Sequence, residues 1–171
     1  LGHALGLSHP GDYNASPSGN ITYSNSAQFI QDSQMYSVMS YFGGSVNGQN
    51  PGDFAIDYTP MLADIYEMQT LYGANYSTRN NDNVYGFFNN TGSSIYSFSA
   101  SATPLLCIWD GGGNDTLNCS GFNQNQDIDL QDGNFSDIGG GISNISIAAG
   151  ALIENAVGGS GQDLIYGNNL N

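Results

Sequence analysis

Lysine is absent from this 171-residue chain, and Arg79 is its one strongly basic residue. Fifteen Asp and Glu stand against it, for a formal net charge of -14 and a pI near 4.1. A single cation cannot neutralise a phosphate backbone, so nucleic-acid binding is excluded, and so is a polybasic membrane surface. No run approaches the ~18 apolar residues that cross a bilayer, so membrane insertion is not expected. The two cysteines, Cys107 and Cys119, are too few for a disulfide framework and match no zinc spacing; one disulfide and two buried thiols are both open. The opening at Leu1 lacks Met, a basic n-region and an apolar signal core, and both ends read as cut from a longer chain. Glutamate is scarce as well, limited to Glu67 and Glu154.

What is present is Asp, Asn and 24 Gly, with 39% hydrophobic residues. That apolar share is too rich for a disordered acidic tail. Asp, Asn and Gly form turns, and Asp is a short-armed oxygen ligand for hard cations. Two carboxylates about 5 Å apart repel by roughly 3 kcal/mol at an effective dielectric near 20. Clusters of them therefore oppose folding unless a cation sits between them.

One helix is predicted. Thr59 suits its N-cap, Pro60 its first position and Gly73 its end. Met61, Ile65, Met68 and Tyr72 form an apolar stripe expected in the core, with Asp64 and Glu67 on other faces. Leu1 to Leu7 reads as the end of another helix stopped by Gly6, and Gly11 to Gly52 as loop-rich. After Gly73 short apolar runs alternate with Gly, Asn and Asp turns, an all-β texture. A domain boundary is expected near residues 73 to 76.

Two histidines six residues apart open the chain, in Leu1-Gly2-His3-Ala4-Leu5-Gly6-Leu7-Ser8-His9. A left-handed Gly6 would end a helix after His3 and turn the chain so that His9 reaches the same point. Two converging imidazoles suit zinc. The run resembles the second half of the metzincin signature H-E-x-x-H-x-x-G-x-x-H, with the first His and the Glu falling just before Leu1. Its continuation His9-Pro10-Gly11-Asp12-Tyr13-Asn14 resembles the serralysin subfamily of secreted bacterial metalloproteases. Ser37-Val38-Met39-Ser40-Tyr41 resembles that family's Met-turn. The resemblance implies zinc ligation by His3, His9 and Tyr41, an apolar floor from Met39, and stabilisation of the oxyanion by Tyr41.

Gly158-Gly159-Ser160-Gly161-Gln162-Asp163-Leu164-Ile165-Tyr166 fits the calcium-binding nonapeptide G-G-x-G-x-D-x-U-x, with Ile165 expected in a core. Asp110 to Asn118 is an imperfect copy that places Asp115 and Leu117 equivalently. The serralysin resemblance implies one calcium held by Arg79, Asn81, Asn83, Asp110, Gly112 and Asp115. It implies a second held by Gly113, Asp115, Leu152 and Glu154, and a third begun by Gly159, Gly161 and Asp163.

The expected fold class is α+β, with residues 1–74 the end of a metzincin catalytic domain and 75–171 the start of an all-β parallel β-roll. The resemblance implies a secreted, extracellular zinc endopeptidase, stabilised by calcium and inactive as this piece alone. Its expected partners are protein or peptide substrates and a protein inhibitor, and it is expected to be a monomer. The rival reading is a calcium-binding β-roll module without enzymatic activity. It explains the acidity and the Gly-Asp repeats, but not the set of His3, Gly6, His9, Met39 and Tyr41.

Overall fold

The computed structural model describes residues 1–14, 20–47 and 59–169. Part of the loop-rich stretch expected from Gly11 to Gly52 lies outside the described residues. Helices are few: α1, Tyr23–Ser26, and α2, Leu62–Tyr72, with 3-10 turns at Gly2–Leu5, Gly44–Asn47 and Ser94–Tyr96. The strands follow α2 and are short: β1, Val84–Gly86; β2, Leu106–Ile108; β3, Thr116–Asn118; β4, Asp127–Asp129; β5, Phe135–Ser136; β6, Ile145–Ile147; β7, Asn155–Val157; β8, Leu164–Tyr166.

Parallel pairing dominates. β3 lies between β1 and β7, with Leu117 opposite Tyr85 on one side and Ala156 on the other. β2 pairs with β6 through Leu106↔Ile145 and Ile108↔Ile147, and β4 with β8 through Ile128↔Ile165. Among the described strands β5 runs the other way against β6, in antiparallel register, and an isolated antiparallel bridge joins Asp127 to Asp137. Parallel strands need a crossover of a dozen or more residues, and the loop from Ser136 to Ile145 is too short for one. It folds back through Gly139, Gly140 and Ser143, all at positive φ.

The strands place alternate residues inward. Leu117 and Ile128 are buried at the centres of β3 and β4, in a core with Tyr85, Phe122, Ile138, Ile145 and Ile153. β2 is buried on both faces because a second cluster lies behind it. Cys107, Leu105 and Ala148 pack there against Met61, at the start of α2, with Leu62 and Ile65 beside them. This cluster fixes the helix to the strands. Both cysteines are free buried thiols, and burial pushes each up to about 12.

Three expectations are corrected. The α2 N-cap is Met61, not Thr59; the Thr59 hydroxyl instead accepts the Cys107 amide of β2 at 2.8 Å. The stripe is core only at its start: Ile65 and Met68 are half-buried and Tyr72 is 66% exposed. The buried residue of α2 is Asp64, because that face meets polar hydrogens of the loop around Met39. Ile165 is 46% exposed, although it pairs opposite the buried Ile128 of β4.

Candidate metal centre

The Gly2–Leu5 turn ends at Gly6, whose φ of 95° is left-handed, as the spacing of the histidines requires. The Gly6 amide donates to the His3 carbonyl and the Leu7 amide to that of Gly2, both at 3.1 Å. The chain then doubles back and stands the His9 ring edge-on to His3, centroids 4.7 Å apart. Tyr41 meets His9 from another side, ring centroids 4.6 Å apart. His3, His9 and Tyr41 are thus brought together.

Each imidazole commits one ring nitrogen to a backbone carbonyl. His3 Nδ1 lies 3.0 Å from the Leu7 carbonyl oxygen and His9 Nδ1 2.6 Å from that of Met39. A carbonyl only accepts, so each Nδ1 carries a proton, and in the neutral ring the lone pair is on Nε2. Carbonyl-oriented imidazoles of this kind are the usual second layer of a zinc site, so the donor set fits that metal. Met39 is buried beneath the Gly2 turn; a Cβ at Gly2 would meet its sulfur and push the thioether aside.

Tyr13, Asp32 and Asp64 were missed in the sequence. The Tyr13 ring touches those of both His9 and Tyr41, at 5.5 and 4.9 Å. Its hydroxyl donates to Asp32 at 2.7 Å, and burial with that carboxylate pushes its pKa up. The one available signal was the pair of serines flanking Met39, whose hydroxyls needed partners.

The second set of residues gathers between β1 and β3. Arg79 has a positive φ of 48°, and its side chain turns inward, donating from Nε to Tyr85 Oη at 3.1 Å and to the Trp109 carbonyl at 3.0 Å. The carbonyls of Arg79 and Asn81 point at the end of the Asn83 carboxamide, 3.2 and 3.0 Å away. With its nitrogen turned toward them, the Asn83 carboxamide donates to both carbonyls. Asp110 accepts the Gly112 amide at 2.7 Å and the Tyr85 hydroxyl at 2.5 Å.

Asp115 lies at the centre, wholly buried. Its Oδ1 accepts the Asn83 amide at 2.6 Å, and Glu154 accepts the Asp115 amide at 2.6 Å. Its Oδ2 has no partner among the described residues. Burial first, then the charges of Asp110 and Glu154, pushes its pKa up to about 7. An orphaned carboxylate oxygen beside two further carboxylates fits a hard cation. Gly113 lies against the Asn81 carbonyl and the Asp115 carboxylate, with no room for a Cβ between them. Leu152 stands half-buried two residues before Glu154.

The third set is less open. Asp163 accepts the Gln126 amide at 2.9 Å and the Gly159 amide at 2.6 Å, so both its oxygens already have donors. Gly159 and Gly161 press against the carbonyls of Phe122 and Gln124. Among the described residues no three His, Cys, Asp or Glu side chains form a metal-holding group. The sets above also include a phenol, carboxamides and backbone carbonyls, which are not among those side chains.

Residues 74–171 match the family described as "Peptidase M10 serralysin C terminal". The chain belongs to the serralysin family of metalloproteases. It is 53% identical to "Metalloprotease AprA" of Pseudomonas entomophila (strain L48), over 99% of this chain and 36% of that protein. It is 50% identical to "Serralysin" of Photorhabdus laumondii, over 98% of this chain and 35% of that protein. "Serralysin B" of Dickeya chrysanthemi is 49% identical over 96% of this chain and 34% of that protein. The chain thus spans about a third of the length of these curated relatives. No helix among its described residues is long and apolar enough to cross a membrane.

Proposed function

We propose that the chain forms part of a secreted, extracellular zinc endopeptidase stabilised by calcium. Residues 1–74 are the end of its catalytic domain and 75–171 the start of a parallel β-roll. The observation that carries this reading is the meeting of His3, His9 and Tyr41 with both Nδ1 atoms committed to carbonyls. The names of the relatives, metalloprotease and serralysin, support peptide-bond hydrolysis.

Bound there, zinc would supply Lewis acidity toward a peptide carbonyl and a water molecule. His3 and His9 offer Nε2 lone pairs held in direction by Leu7 and Met39. The half-exposed Tyr41 hydroxyl is free to donate to the oxygen that gains charge as the peptide is attacked. Calcium would be held by the oxygens of Arg79, Asn81, Asn83, Asp110, Gly112 and Asp115, and by those of Gly113, Asp115, Leu152 and Glu154. Gly159, Gly161 and Asp163 would contribute to a third site. Proteins or peptides are the substrates, a protein inhibitor is a partner, and the chain is a monomer.

These 171 residues supply two imidazoles, and the cleft of His3 and His9 is lined by Ser8, Gly11, Asp12, Tyr13 and Asn14, with no glutamate. Alone they should leave casein intact. The longer protein carrying this segment should cleave casein, stop on zinc chelation and resume when zinc is restored. Chelator-sensitive cleavage by the 171 residues, or chelator-resistant cleavage by the longer protein, would overturn the proposal.

A further inference from the structure

The loop that carries Met39 and Tyr41 is gripped at both of its serines by buried carboxylates from elsewhere in the chain. Ser37 Oγ donates to Asp64 Oδ1 at 2.7 Å and accepts the Met39 amide at 3.0 Å. Ser40 Oγ donates to Asp32 Oδ1 at 2.7 Å and accepts the Phe42 amide at 3.1 Å. Asp64 Oδ2 accepts the amides of Val38 and Met61 at 2.8 and 2.9 Å, tying the loop to the start of α2. Asp32 Oδ1 also accepts the Tyr13 hydroxyl at 2.7 Å, and Tyr13 packs on both His9 and Tyr41.

Asp64 is 2% exposed and Asp32 0%. Burying two carboxylates in a chain with one Arg is costly, and neutral side chains could cap two serines for less. What the expense secures is direction. The Met39 carbonyl, fixed between the two gripped serines, is the acceptor that sets the His9 tautomer.

We infer that Asp32 and Asp64 are positioning residues of the metal centre, acting through Ser40 and Ser37 to fix the Met39 carbonyl, the His9 ring and Tyr41. The role in zinc binding rests on the function proposed above; the grip on His9 exists without metal and is measurable without it.

A double-mutant cycle separates a grip from general loosening. The variants are Ser37→Ala, Asp64→Asn and the pair, then Ser40→Ala, Asp32→Ala and that pair, with the exposed Glu67→Gln as control. In the metal-free, calcium-loaded chain, imidazole 15N shifts should place wild-type His9 in its Nδ1–H form. Each single variant should move His9 toward a mixture of tautomers and leave His3 unmoved, because His3 bonds to Leu7 within its own turn. Zinc affinity, by competition with a weak chromophoric chelator, should fall about 10–100-fold, and each pair should lose no more than its worse single. An unmoved His9, equal movement of His3, or additive losses would overturn the inference. Wild type binding no zinc would overturn the zinc reading instead, and the His9 shifts would still decide the grip. If Asp64→Asn does not fold, Ser37→Ala carries the test, since it leaves the carboxylate its two backbone donors.

Discussion

Burial and charge meet most sharply at Asp115. Its carboxyl has a folded value near 7 against the ordinary 3.9 of the unfolded chain. Between those values the folded protein binds more protons than the unfolded one, so stability falls as pH rises through the window. Asp127, pushed up by burial and by Asp137 and Asp129, adds in the same direction. In calcium-free buffer the melting temperature should therefore decline from about pH 4 to about pH 7, and saturating calcium should remove most of that decline. A sharper form uses Asp115→Asn, which keeps an oxygen for the Asn83 amide and removes the charge. That variant should melt higher than wild type without calcium and lower with it; parallel curves would count against a cation at this residue. Residues such as His3, Gly6 and His9 were legible because one left-handed glycine settles their meeting within a few positions. Asp32 and Asp64 were not, because each finds its serine across 8 and 27 residues of chain, which no local spacing encodes.

The elements are short, so each depends on a few polar residues at its ends. Asn144 is wholly buried before β6. It donates to the carbonyls of Pro104 and Ile138 at 2.6 and 2.9 Å and accepts the Ile138 amide at 2.8 Å, closing the β5–β6 loop. Asn144→Ala would leave those groups unpaired and should cost about 2–4 kcal/mol in denaturant unfolding. Gly113, at a φ of 146° and against the Asn81 carbonyl, leaves no space for a Cβ. Gly113→Ala should lose more than about 1 kcal/mol and weaken calcium binding by titration calorimetry. The Gly-Asp turn texture announced the strands. The antiparallel β5–β6 pair and the buried face of α2 were hidden, since both follow from what packs alongside. The apolar spacing of α2 gave no sign that Asp64 would face inward.

At the scale of the whole molecule, the strands and α2 are held by two apolar clusters that meet at β2, while the excess of acid is unanswered by side-chain cations. Calcium bound to the folded state alone, at 100 times its dissociation constant, would add about 2.7 kcal/mol. That corresponds to roughly 5–10 °C in melting temperature for a chain of this size. The family was legible over nearly the whole chain, least between Ser16 and Gln34 and between Asn47 and Thr59, because its motifs depend on fixed local spacings. The measurement that bears most directly on the zinc reading is anomalous diffraction at the zinc edge from crystals of the calcium-loaded chain soaked in zinc. The expected result is a peak about 2.0–2.1 Å from Nε2 of both His3 and His9, on the side facing Tyr41. A peak at neither ring, or at one ring alone with the other turned away, would contradict it.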